Sequence, residues 1–290
     1  MPAFEGLSPL SSSTSACVVP TIEEHETIYQ YEPIVANEEL RILLLEPGVF
    51  GEPLVGSLLV RKIGEKTLHD RDWDWVPKGD GNEWDFVSYC WGSQKDHTYF
   101  SCDGHFLRIT TTVEDMLRHL REPFMLRYLW IDAICINQAD NEEKSLQVLS
   151  MGKTYTIASN VVVWVGPATD QDRVGDLLPI FDDTDVEKHA SRVPTRPIDS
   201  VSFAFPSLDA FFLRGWFKRR WILQEVVLSR ELTIRCGRLE FTWQSLKHSA
   251  DVHLDHEDSF HWSSGTQEAA TQITMLDGQT NHQRSILNFC

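Results

Sequence analysis

The sequence predicts an α/β fold: a mostly parallel central sheet flanked by helices, with added β-hairpins. Three observations lead there. Short apolar runs end at a glycine followed by polar residues, as in Trp84-Asp85-Phe86-Val87-Ser88-Tyr89-Cys90-Trp91-Gly92. Strand-like and helix-like patterns alternate from residue 84 to residue 165, which favours parallel strands with helices on the sheet faces. Asp103-Gly104, between two runs of strand-forming residues, marks a tight hairpin turn.

In chain order, residues 1 to about 27 are rich in Ser, Thr and Pro and poor in large apolar residues, the composition of a disordered arm. This arm lacks the charged start and long apolar stretch of a signal peptide. Arg41-Ile42-Leu43-Leu44-Leu45, stopped by Glu46-Pro47-Gly48, reads as a strand entering a turn, and 54–63 reads as its hairpin partner. The Trp-, Asp- and Gly-rich stretch 70–83 reads as a loop. After the buried run at 84–92, a hairpin spans 99–108. Ile109-Thr110-Thr111-Thr112 then enters a helix with Val113, Met116, Leu117 and Leu120 on one face. Leu129 through Gln138 reads as a second central strand running into a polar loop. Asp140 and Glu143 have the spacing of a capping box, and the helix after them carries Leu146, Leu149 and Tyr155. Asn160 to Val165, closed by Gly166-Pro167, is a third central strand. A helix is expected near 174–181, then an acidic connection. Leu232 to Gly237 and Leu239 to Trp243 read as a strand pair. The stretch 251–290 is polar, with weak periodicity, and is expected to be poorly ordered or partly helical.

Composition narrows the function. A formal charge of −17 argues against a nucleic-acid binder, since phosphate polymers require a basic footprint. No stretch is long and apolar enough to span a membrane. None of the six cysteines forms a CxxC pair, which fits reduced thiols in a cytoplasmic protein and gives no metal-ligand spacing.

The stretch with the most chemistry is Arg219-Arg220-Trp221-Ile222-Leu223-Gln224-Glu225, read as the first turns of a helix. Trp221 and Glu225, four residues apart, share a helical face, while Ile222, Val226 and Ser229 form an inward stripe. A carboxylate beside an aromatic, after a cationic cluster, suits ligand chemistry. It equally suits a core tryptophan and an Arg-paired glutamate.

Several separated segments resemble one family. Ser88-Tyr89-Cys90-Trp91-Gly92, Trp130-Ile131-Asp132-Ala133-Ile134-Cys135-Ile136-Asn137-Gln138 and Arg219 through Glu225 resemble the SYxWG, WIDAICINQ and RxWxxQE boxes of the fungal heterokaryon-incompatibility (HET) domain, in that order. The resemblance covers about Tyr29 to Leu246, giving a HET-like domain over 28–250 between the arm and the tail. It implies a role in programmed cell death at incompatible fusion, with homo-oligomerisation through the domain and an upstream allorecognition partner. The HET family is distantly similar to Toll/interleukin-1 receptor (TIR) domains, which implies a TIR-like sheet. Many TIR domains cleave the nicotinamide–ribose bond of NAD. By that resemblance NAD is a candidate substrate and no cofactor is required.

Losing nicotinamide passes through an oxocarbenium-like ribosyl centre, which a nearby carboxylate stabilises. Glu225 and Asp132 are the candidate catalytic residues. Tyr89, Trp91 and Trp221 offer aromatic faces. The Gly92 backbone and Arg219 offer donors to the pyrophosphate, and Asn137, Gln138 and Gln224 are further binding candidates. Each has a structural alternative. Trp91 would be packing, Asp132 a helix cap or an Arg219 partner, and Asn137 and Gln138 turn formers. The basic residues near Trp221 would be a solvated face. Two other functions stay open: a non-catalytic homotypic interaction module, and a nucleotide sensor.

Overall fold

The computed structural model describes residues 27–35, 38–62, 84–169, 173–177, 205–219, 222–229, 231–255 and 261–287. The arm at 1–26, the loop at 70–83 and most of the acidic connection lie outside the described residues. The strands are β1 (Glu39–Leu45), β2 (Val55–Lys62), β3 (Asp85–Tyr89), β4 (His97–Cys102), β5 (His105–Thr110), β6 (Arg127–Trp130), β7 (Asn160–Trp164), β8 (Leu232–Cys236) and β9 (Leu239–Thr242). The helices are α1 (Thr111–Leu120), α2 (Asp132–Cys135), α3 (Asn141–Ile157), α4 (Phe205–Phe212), α5 (Ile222–Leu228), α6 (Trp243–Asp255) and α7 (Ser264–Leu287). Short 3-10 turns cover Val174–Leu177 and Gly215–Lys218.

All nine strands join one sheet, in the order β5-β4-β2-β1-β6-β3-β7-β8-β9. The expectation of a mostly parallel sheet needs correcting: the sheet is mixed, and its longest registers are antiparallel. The β1/β2 and β4/β5 hairpins and the β8/β9 pair are antiparallel, and β1 also meets β6 antiparallel. Parallel pairing is concentrated in the middle, where β3 lies between β6 and β7 and β7 pairs β8, with one short parallel contact outside it, between β2 and β4. Hairpins need only short turns, so the outer strands were free to be antiparallel, whereas helical crossovers force the inner four to run together. In chain order those four stand second, first, third, fourth. This order places a topological switch point beside β3, and ligands in such sheets bind beyond the carboxyl ends of the strands there.

Local chemistry explains most elements. Asp103 and Gly104 both have positive φ, 50° and 75°, as a two-residue hairpin turn with matching twist requires. Thr110 caps α1 by accepting from Val113 N at 3.3 Å, and Val113, Met116, Leu117 and Leu120 are its buried face. Gly92 has φ 64°, and a Cβ there would stand 2.5 Å from Thr112 Oγ1, so the turn after β3 requires glycine on both counts.

One local reading also needs correcting, and one helix face differs from a simple apolar stripe. The apolar run at 129–138 ends as a strand at Trp130 and turns into α2, because Cys135 N and Ile134 N donate back to Ile131 O. Helix α3 does not bury Leu149, which is 81% exposed; it buries Gln147, Ser150, Thr154 and Tyr155. Ser150 and Thr154 satisfy their hydroxyls on carbonyls one turn back, and Gln147 Nε2 reaches Glu39 O. A polar face can therefore be packed inward without stranded groups. Asp140 caps α3 as expected, accepting from Glu142 N and Glu143 N. The Glu143 carboxylate turns elsewhere, to Asn137 N and to the buried Arg41.

Candidate functional site

Two carboxylates flank the carboxyl ends of the parallel strands, and they are built differently. Glu225 lies in α5, which precedes β8 and so starts near the strand ends. It is 1% exposed. Arg219, just after the Gly215–Lys218 turn, grips it in a two-pronged pair: Nη2 to Oε1 at 2.9 Å and Nη1 to Oε2 at 3.1 Å. Tyr155, from the last turn of α3, donates to Oε1 at 3.2 Å, and Ser88 of β3 donates to Oε2. Ser88 Oγ in turn accepts from Trp216 Nε1 at 2.8 Å and from Arg219 Nη1 at 3.2 Å. Both carboxylate oxygens thus accept two hydrogen bonds each from the chain itself. Burial, then the adjacent Glu225 charge, pushes the Tyr155 phenol well above its ordinary range, so it is a neutral donor.

Asp132 opens α2, two residues beyond the end of β6. Oδ2 accepts from Trp91 Nε1 at 2.8 Å, and Oδ1 from Ala133 N at 2.7 Å. Gln138 Nε2 donates to the Asp132 carbonyl at 2.7 Å. Asp132 is a partly buried residue, and desolvation of its carboxyl raises the pKa above the usual aspartate value, against the pull of the Trp91, Ala133 and Tyr89 donors. Tyr89 is buried at the end of β3. Burial, then the nearby Asp132 charge and a hydrogen-bonding approach to the Asp132 side chain, raises its phenol well above 10, although that approach falls short of ordinary hydrogen-bond geometry. Gln138 Oε1 is also buried and unpartnered.

A second shell of charge holds α2 from behind. Arg41, 2% exposed, pairs with Glu143 at 2.6 Å and donates to Cys135 O at 3.1 Å. Tyr31 Oη donates to Ile134 O at 2.8 Å. The segment around Tyr31 and strand β1 therefore fix the turn that carries Asp132.

The sequence candidates fall into three groups. Tyr89, Trp91, Asp132 and Gln138 come together; Arg219 and Glu225 come together beside them, linked by Ser88. Gly92 serves the turn after β3, and Asn137 uses its Oδ1 to accept from Ala139 N in the loop before α3. Trp221 lies outside the described residues, and nothing is described of the Gln224 side chain. Arg219 bonds Glu225 and Ser88, not Asp132. Ser88, Tyr155 and Trp216 were not singled out from the sequence. Ser88 had a signal: a hydroxyl inside a run of large buried residues needs partners. Among the described residues no group of three or more His, Cys, Asp or Glu could hold a metal ion. None of their helices is long and apolar enough to cross a membrane.

Comparison with known proteins converges on the same region. The family model described as "Heterokaryon incompatibility protein (HET)" matches residues 84–225, from the residue before β3 to Glu225 itself. The chain is 37% identical over 191 residues to "Heterokaryon incompatibility protein 6, OR allele" of Neurospora crassa, a match covering 52% of this chain and 28% of that protein. The chain thus spans about a quarter of the length of the curated relative. No solved structure matches.

Proposed function

We propose, from the premise that this chain belongs to the heterokaryon-incompatibility (HET) family, that it acts in fungal incompatibility and cell-death signalling as a non-catalytic module that works by self-assembly. The observation that carries this reading is the state of Glu225. A carboxylate that is 1% exposed and already accepts four hydrogen bonds has no free oxygen with which to hold a ribose or stabilise a cation. It acts as the keystone joining β3, α3 and α5.

Self-association also has a candidate surface. The turn after β1 and the segment before β6 are tied together by Gly48 N to Glu122 O and by Arg121 to Glu52 O and Pro53 O. They expose Val49, Phe50, Phe124, Met125 and Leu126, with Phe124 92% exposed. Apolar side chains grouped this way mark interaction surfaces. Sedimentation velocity across a concentration series tests the reading. The native chain is expected to self-associate, and Phe124→Asp to shift it to monomer with an unchanged melting temperature. A native chain that stays monomeric at every concentration would overturn it.

The second reading is NAD cleavage on a TIR-like sheet. The raised Asp132 carboxyl and the half-exposed Trp91 at the switch point favour it. It requires Arg219 to leave Glu225, or Asp132 to serve as the reacting carboxylate.

A further inference from the structure

We infer that self-association is head-to-tail: the apolar loops at 46–54 and 121–126 of one copy pack on the outward face of α3 of the next. Helix α3 is inverted. It turns Gln147, Ser150 and Thr154 inward and leaves Val148, Leu149 and Ile157 exposed. An apolar face left outside while the polar face is packed marks a contact surface rather than a core stripe. Head-to-tail packing presupposes the self-association proposed above and specifies which surfaces meet.

The two apolar surfaces lie on opposite faces of the sheet. Phe86 and Ser88 of β3 point to the α3 side, where the Phe86 ring meets that of Tyr155, centroids 4.2 Å apart. Tyr89 points the other way, and so does its partner in register, Trp164 of β7. Trp164 meets His119 of α1, whose ring also meets Phe50 of the loops. One copy cannot cover its own α3 face with its own loops, but a second copy can. Charge selects this unlike pairing. Lys144 stands one turn before Val148, and Lys153 one turn after Leu149. Both are exposed, and neither makes an ion pair among the described residues. Glu142, the exposed carboxylate of α3, lies two turns before Leu149 at the helix start. On the loops the exposed Glu46 and Glu52 make no ion pair among the described residues either. The arginines there are taken: Arg118 by Glu114 and the carbonyls of Phe50 and Glu52, Arg121 by those of Glu52 and Pro53, and Arg238 by the Phe50 ring. Loop on loop would oppose two acidic rims, and α3 on α3 two basic ones. Loop on α3 sets Glu46 and Glu52 against Lys144 and Lys153.

The test is sedimentation velocity of the full chain with one surface blocked at a time, by Phe124→Asp on the loops or Leu149→Glu on α3. Each variant alone is expected to be monomeric where the native chain associates, with an unchanged melting temperature. An equimolar mixture is expected to form a dimer and nothing larger, because each variant supplies the surface the other lacks. The mixed pair should be at least about tenfold tighter than either variant with itself, the cost of losing a central apolar anchor. Lys144→Glu with Lys153→Glu should weaken association about tenfold or more, and mixing with Glu46→Lys, Glu52→Lys chains should restore it. A native chain that is monomeric throughout overturns self-association itself. Native association kept in Leu149→Glu, or a mixture that stays monomeric, overturns the head-to-tail pairing and leaves self-association through the loops alone. A melting temperature lowered by Leu149→Glu shows the α3 face to be covered within the chain, and overturns the pairing as well.

Discussion

Glu225 and Asp132 face the same end of the parallel core, and their surroundings differ in one respect. Every acceptor position at Glu225 is taken by the chain: Arg219, Ser88 and Tyr155 close it, and Trp216 closes Ser88. At Asp132 the chain supplies one donor of ordinary geometry per oxygen, the Tyr89 hydroxyl approaches the same side chain less closely, and Gln138 Oε1 nearby has no partner. A saturated buried carboxylate holds elements together, whereas a partly satisfied one is open to a ligand. The more obvious motif carboxylate is thus the structural one, and the less obvious one has capacity for binding.

The sharpest way to break this contrast is at Glu225. Glu225→Ala leaves Arg219 without its counter-charge and strands the Tyr155 hydroxyl, and should cost about 3–5 kcal/mol in urea unfolding. Glu225→Gln keeps the shape but loses the charge-assisted bonds, at roughly 2 kcal/mol. Replacing both partners, as Arg219→Met with Glu225→Leu, should cost less than the sum of the single losses, because no lone charge remains. Equal stability of Glu225→Ala and the native chain would show that the cluster holds nothing.

Tyr89→Phe probes the other side. Its hydroxyl approaches Asp132 without a hydrogen bond of ordinary geometry, so stability should change by no more than about 1 kcal/mol. A loss of more than that would mean Tyr89 Oη is bonded in the folded protein, and the contrast would collapse.

The smallest effect is in pH dependence. Burial raises the native pKa of Asp132 above the unfolded value, so the native state binds that proton more tightly. Its contribution is fully favourable below the unfolded aspartate pKa of about 3.9 and is lost as pH rises through the native value. The native chain should therefore lose stability relative to Asp132→Asn as pH rises from the ordinary carboxylate range, and the gap should close below it. Parallel stability curves for the two would contradict the assignment.

Much of the scaffold was legible because it rests on local rules. Apolar runs and turn residues located β1 to β5, β7, β8 and β9, amphipathic spacing located α1, and capping located α3. The hairpin pairs were legible, but their joining the central strands in one mixed sheet was not, since a short apolar run does not record which strand lies beside it. The inward face of α3 was missed because Ser150 and Thr154 bury their hydroxyls by bonding their own helix, which no hydrophobic pattern shows. At the site, motif residues were recognisable, but their grouping was not. Arg219 stands six residues from Glu225 and could equally have faced Asp132; only the fold decides. Arg41 did carry a signal, a lone cation inside Ile42-Leu43-Leu44-Leu45 that needed a buried partner, found in Glu143.

The most direct measurement is nicotinamide release from NAD by the purified chain at high concentration, beside Glu225→Gln shown to be folded. If Glu225 is a structural keystone in a signalling module, neither protein releases nicotinamide. Release by the native chain that disappears in folded Glu225→Gln would contradict this account and make Glu225 a catalytic carboxylate.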